Sequence, residues 1–193
     1  MKPVKILIVI SALFIASLYS IKYFSTKYPP LLGGDFTIPS TQGEFNLKDH
    51  RDSVVLIYFG YRFCPDVCPT TLSQLANIYK DLGEPKNLKI LFISVDQKRD
   101  TLESLTEYVA FFHKDFIAAT DNQENLKKLA DQFGIRYEIL PPKPDQPDFY
   151  LVDHSAMTLI INREGQLQDA IADGESTPIA KKRIEKYLKE EIK

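Results

Sequence analysis

The chain has 193 residues, 44% of them hydrophobic, which is enough for one domain with a substantial core and too little for two comfortable ones. A formal net charge of -2, with 24 basic and 26 acidic side chains interspersed, leaves no polybasic face, so nucleic acid is excluded as an expected partner. Only two cysteines occur; they are too few for a disulfide framework and lie in one short motif, which suggests chemistry rather than scaffolding.

In chain order, the first feature is an apolar run from Ile6 to Phe24, interrupted by Ser11, Ser17, Ser20 and Lys22 and preceded by Lys2 and Lys5. Roughly 20 apolar residues span a bilayer, Lys22 can snorkel, and Tyr19, Tyr23 and Tyr28 suit an interface. Residues 1–24 therefore read as a membrane anchor rather than a cleaved signal segment, since no small-x-small site follows the run. The short, basic N-terminal flank favours a cytoplasmic N-terminus. The leader is not Arg- and Ser-rich, which points to a bacterial inner membrane with the remaining chain in the periplasm. Residues 25–34, with two prolines and two glycines, read as a linker, and 35–193 as the folded domain.

Phe36 to Ile38 and Phe45 to Leu47 flank Gly43 as a small hairpin. Val54 to Phe59 is a continuous apolar and aromatic run, the pattern of a strand covered on both faces, and Leu88 to Val95 is a second. Between them Leu72, Leu75, Ala76, Tyr79 and Leu82 recur at helical spacing, and Gly83 is a stop. Asp100 with Glu103, and Asp121 with Glu124, read as capped starts of two more helices around a short strand at Ile117 to Thr120. Tyr137 to Asp148 is a proline-containing long loop, a candidate for partner contact. Met157 to Asn162 and Leu167 to Ala172 form a hairpin, and Thr177 with Pro178 opens a final helix. The order gives a parallel βαβ half followed by an antiparallel ββα half, which predicts an α/β, thioredoxin-like fold: a central mixed sheet flanked by helices, with an N-terminal hairpin and an inserted helix and strand.

The motif Gly60-Tyr61-Arg62-Phe63-Cys64-Pro65-Asp66-Val67-Cys68-Pro69 falls between the first buried strand and its helix, where open α/β sheets collect reactive groups. A helix start favours thiolates through its free N–H groups and dipole. If Pro65 begins that helix, both sulfurs project from one face, near enough to share a metal ion or to form a disulfide. Two thiolates suit Cu(I), and an added imidazole makes a set that also accepts Cu(II). Of the three histidines, His50 reads as a surface residue and His113 as a helix-terminal or boundary residue. His154, in Tyr150-Leu151-Val152-Asp153-His154-Ser155 ahead of the late hairpin, is the one placed to meet the thiols. Asp66 reads as a helix cap, Asp153 as a group that orients His154, and Arg62 as a charge helping to keep the cysteines ionised.

Cys-Pro-Asp-Val-Cys-Pro at 64–69, Ser-Val-Asp-Gln-Lys-Arg-Asp-Thr at 94–101 and Tyr-Leu-Val-Asp-His-Ser at 150–155 together closely resemble the Sco/SenC family of copper-binding cytochrome oxidase assembly proteins. The resemblance covers essentially the whole exported domain and includes the anchor. It implies copper ligation by Cys64, Cys68 and His154, and a role in building the copper centre of cytochrome c oxidase subunit II, by delivering copper or by reducing the target's cysteines with a thiol reductant protein as partner. Two positions depart from the family pattern: Arg62 stands where Thr is frequent, and Gln97 where Pro is common. The competing reading is a thiol-disulfide oxidoreductase using Cys64 and Cys68 as a redox pair. Against it stand the C-x-x-x-C spacing and the well-placed histidine.

Overall fold

The computed structural model describes residue 17 and residues 32–142, 144–145 and 149–190. The chain divides into two units, Met1–Leu32 and Gly33–Lys193, and the second contains the sheet and its helices. Apart from Ser17, the apolar run expected to be the anchor lies outside the described residues, as does most of the expected linker. Among the described residues no helix is long and apolar enough to cross a membrane.

One mixed sheet organises the domain. Its strands are β1 (Thr37–Ser40), β2 (Gly43–Asn46), β3 (Val54–Gly60), β4 (Leu88–Ser94), β5 (Ile117–Ala119), β8 (Met157–Ile161) and β9 (Leu167–Ala172), in the order β2-β1-β5-β4-β3-β8-β9. β3, β4 and β5 are parallel, while β8 and β9 add antiparallel on one side and β1 and β2 on the other. This is the expected thioredoxin-like arrangement, with the hairpin joined to the sheet through β5. Every residue of β3 is buried, as its uninterrupted apolar run requires of a strand with helices on both faces.

Among the described residues four α-helices flank the sheet: α1 (Val67–Asp81), α2 (Leu102–Phe112), α3 (Gln123–Gln132) and α4 (Thr177–Lys189). α1 buries Cys68, Leu72, Leu75, Ala76, Ile78 and Tyr79, so the helical stripe that builds the core carries the second cysteine at its start. Three expected caps move by one residue. Thr101, not Asp100, caps α2 through a reciprocal pair with Ser104, and Asn122, not Asp121, accepts from the Asn125 N–H at α3. Asp100 is displaced because its carboxylate is drawn inward, where it accepts from the Ser94 hydroxyl at 2.6 Å. Ser176 occupies the cap position of α4, and Thr177 is already helical.

The segment expected as a long loop, Tyr137 to Asp148, and the chain just after it contain structure that the sequence does not announce. β6 (Tyr137–Ile139) and β7 (Val152–His154) pair antiparallel as a ribbon separate from the main sheet, with Tyr137 opposite His154. Three-residue strands carry too little alternation to be read as strands.

Candidate metal centre

Parallel pairing places Gly60 beside Ser94, so the cysteine loop (61–66) and the loop after β4 (95–101) leave the sheet side by side. The next antiparallel strand, β8, enters at the same end, with Thr158 opposite Tyr58. His154, at the end of β7, is therefore carried to the mouth of the sheet just as the chain turns into β8. Residues 86 apart in sequence meet there: Cys68 Sγ lies 3.4 Å from His154 Nε2. Cys64, Cys68 and His154 each offer one atom within 4.8 Å of the other two.

The helix begins at Val67, two residues later than Pro65, so the two thiols do not share a helix face as the spacing suggested. Cys64 stands in the loop, with its N–H donating to Tyr61 O at 3.2 Å, and Cys68 is the second residue of α1. The loop folds Cys64 back over the helix start and restores the proximity. Both thiols are free, but their surroundings differ. Cys68 is 0% exposed and Cys64 8%.

That inequality has an electrostatic counterpart. The Cys64 thiol is lowered to about 3, chiefly because Cys68 donates a hydrogen bond to it. Burial opposes this shift, while His154 and the backbone N–H groups of Asp66 and Cys68 reinforce it. Cys68 is pushed up, first by sharing its proton with Cys64 and then by burial. The two thiols are thus coupled, with the surroundings favouring the thiolate at the outer sulfur and the thiol at the inner one.

Three aromatic residues wall the site. Tyr58, fully buried, donates its hydroxyl to Cys68 Sγ at 3.8 Å. Tyr61 and Tyr58 present ring edges to His154, with centroids at 5.9 and 6.2 Å. Phe92 lies behind Tyr58 at 6.2 Å. The backbone of β3 approaches the inner thiol so closely that a Cβ on Gly60 would stand 2.7 Å from Cys68 Sγ and 2.9 Å from Phe92 Cε2. Position 60 is consequently closed to any side chain unless the thiol moves. On its far side His154 Nδ1 lies 3.3 Å from Ser155 O. A proton on Nδ1 donated to Ser155 O would leave the Nε2 lone pair facing the sulfurs, as a metal ligand requires. His154 also lines an open cleft of about 630 Å³ beside the ribbon, with Arg136, Glu138 and Asp153.

Several expected helpers are placed elsewhere. Asp66 precedes α1 but makes no side-chain cap bond. Asp153 points outward, opposite Glu138, and Ser155 O stands where its orienting carboxylate was expected. Arg62 faces Asp100: its N–H donates to Asp100 Oδ2 at 2.9 Å and its Nε lies 3.5 Å from Oδ1, so it serves the loop rather than the thiolates. His50 stacks on Phe45 at 4.3 Å. His113 is the buried C-cap residue of α2. It stands 3.4 Å from Glu84 and accepts from the Asp115 N–H through Nδ1 at 3.2 Å. With one ring nitrogen accepting and the other facing a carboxylate, His113 reads as a boundary histidine, although Glu84, His113 and Asp115 cluster.

No sequence pattern assigned a task to Tyr58, Tyr61, Asp96, Arg99 or Tyr150. The signal available was two aspartates four apart, with an arginine between them, directly after a buried strand. Asp96 and Asp100 are 0% and 1% exposed, and carboxylates so buried need specific partners.

These features define a thioredoxin-like domain with a Cys-Cys-His cluster at the carboxyl ends of its parallel strands. The chain belongs to the SCO1/SenC family, whose model matches residues 25–189. It is 36% identical over 178 residues to an SCO2-like protein of Rickettsia conorii, covering 84% of this chain and 86% of that one. In three dimensions it resembles yeast Sco1 with copper bound, at 31% identity and a TM-score of 0.74, over 84% of this chain and 91% of that one. It also resembles Arabidopsis thaliana ScoI with copper bound, at 28% identity and a TM-score of 0.73, over 81% and 98% of the two chains.

Proposed function

We propose that this protein is a copper chaperone that carries one copper ion on Cys64, Cys68 and His154 and assists assembly of the copper centre of cytochrome c oxidase. The convergence of two thiols and a distant imidazole within 4.8 Å carries this reading. The donor set fits the cargo: two soft sulfurs hold Cu(I), and the imidazole adds a donor that Cu(II) also accepts. Ligation requires both cysteines as thiolates, so any thiol proton is released as the metal is taken up. Family membership and the copper-bound relatives support the role, with oxidase subunit II as acceptor. The apolar run of residues 1–24 supports a single membrane anchor that keeps the domain in the periplasm, beside the bacterial inner membrane.

The test is copper titration of the reduced full chain with simultaneous proton counting. One copper per chain, with proton release on loading, is the expected result. Saturation well below one copper refutes the carrier reading.

A second reading, thiol-disulfide exchange on the oxidase subunit or another exported protein, has its own support in the unequal thiols. A more accessible outer sulfur whose surroundings favour the thiolate, beside a fully buried inner one, is the arrangement of an attacking and a resolving cysteine. Robust reduction of a general disulfide substrate by the metal-free chain, unaffected by loss of His154, would favour that reading over copper carriage.

A further inference from the structure

We infer that Arg99 is a positioning residue which holds His154 against the thiols by tying the histidine ribbon to the cysteine loop; the inference rests on the copper-carrier reading of the site. His154 is carried by β7, one of two three-residue strands that pair only with each other, outside the main sheet. A two-stranded ribbon alone is marginal in water, so the ring's position depends on what fastens the ribbon down. Cys64 and Cys68, by contrast, are fixed by the end of β3 and the start of α1.

Arg99 lies between these two parts. Its Nε donates to Asp96 Oδ2, and its Nη1 donates to Tyr150 O at 2.9 Å. Its guanidinium covers the Tyr150 ring at 3.6 Å, the Phe63 ring at 4.9 Å and the Tyr61 ring at 5.7 Å. The Tyr150 hydroxyl closes the circuit by donating to Asp96 Oδ1 at 2.7 Å. One side chain thus joins the loop after β4, the cysteine loop through Phe63 and Tyr61, and the chain that leads through Leu151 and Val152 to His154. Tyr61 transmits the restraint directly, because its ring packs edge-to-face with His154.

Burial makes the tie specific. Asp96 is 0% exposed and the Arg99 side chain 16%, so the pair is shielded and its geometry persists in salt, unlike a surface ion pair. The task also requires arginine. A planar guanidinium can stack on Tyr150 while directing separate N–H bonds to Asp96 and to Tyr150 O, whereas a lysine ammonium supplies the charge without the fork or the stack.

Arg99→Lys is therefore the informative variant, since it keeps a cation beside the buried Asp96, and Tyr150→Phe, which removes only the hydroxyl bond, is the second. Copper affinity is measured for the wild type, Arg99→Lys, His154→Ala and the double variant, each reduced and full length. Arg99→Lys is expected to weaken Cu(II) binding about 10-fold, the lower end of the usual effect of removing a group that orients a metal ligand and less than the loss of His154 itself, and to have essentially no further effect once His154 is already Ala. Tyr150→Phe is expected to lie between wild type and Arg99→Lys. Unchanged affinity in Arg99→Lys overturns the inference, as does an equal loss with and without His154, which would place the effect on the cysteines or the fold.

Amide hydrogen exchange of the metal-free proteins gives a readout independent of copper. Val152 to Ser155 should exchange faster in Arg99→Lys while α1 is unchanged, and unaltered exchange there refutes the tie. Should the wild type bind no copper, the carrier reading fails and the exchange result alone decides the role of Arg99.

Discussion

Oxidation of the cysteines should abolish copper loading completely and reversibly. The sulfurs of Cys64 and Cys68 are already neighbours and both are free, so a disulfide needs only rotation of the two side chains toward the usual S–S distance of about 2.05 Å. Bond formation removes both thiolate donors at once and leaves His154 as a lone imidazole, which holds copper far too weakly to compete with solvent and buffer. The bridge closes a very short loop and so restricts the unfolded chain little; the fold should look the same in both states by circular dichroism, and the loss will be a loss of ligands. Copper uptake by the oxidised chain, followed before and after addition of a thiol reductant, checks this. The oxidised protein should take up none and the re-reduced protein should regain full loading. Efficient loading of the oxidised protein would contradict this expectation.

Substitution of single ligands should be nearly as costly. Cys68→Ala removes the innermost donor, a sulfur that is 0% exposed and held by the Tyr58 hydroxyl, and the chain has no third cysteine to replace it. If a metal site of a few ligands is worth on the order of 10 kcal/mol, each ligand contributes roughly 3 kcal/mol, or about a hundredfold in affinity. Cys68→Ala should lose at least this much. Cys64→Ala should behave similarly, and it also removes the thiolate that the helix start stabilises. His154→Ala should cost comparably for Cu(II) and less for Cu(I), because two thiolates suffice for a soft monovalent ion but leave Cu(II) without its borderline nitrogen donor. Competition titrations against a chelator of known affinity, for both oxidation states, measure the three losses. A His154→Ala chain with wild-type Cu(II) affinity and spectrum would remove the imidazole from the site.

The parts of this protein that were legible in its sequence are those where burial or spacing leaves a dense local record. Val54 to Phe59 announces a doubly covered strand because water reaches neither face. Likewise, Leu72, Leu75, Ala76 and Tyr79 announce α1 because one stripe of a helix must be buried. The cysteine pair was legible because its chemistry is local. His154 could be selected because few histidines exist and this one precedes a strand that must return to the sheet. Tertiary geometry governed what could not be read. Asp100 resembled a helix cap until Ser94 and the Arg62 N–H claimed its carboxylate, and Arg62 looked available to the thiolates until Asp100 engaged it. The β6–β7 ribbon is too short for a periodic signal, and the Asp96–Arg99–Tyr150 contact joins residues 51 and 54 apart that no local pattern connects.

Copper carriage stands or falls on the ion's immediate ligands, and X-ray absorption of the copper-loaded, reduced full chain reads them directly. Two sulfurs and one imidazole nitrogen on a single copper are the expected result, with the imidazole scattering lost in His154→Ala. A sulfur-only shell in the wild type, or a nitrogen signal that survives removal of residue 154's imidazole, would contradict it.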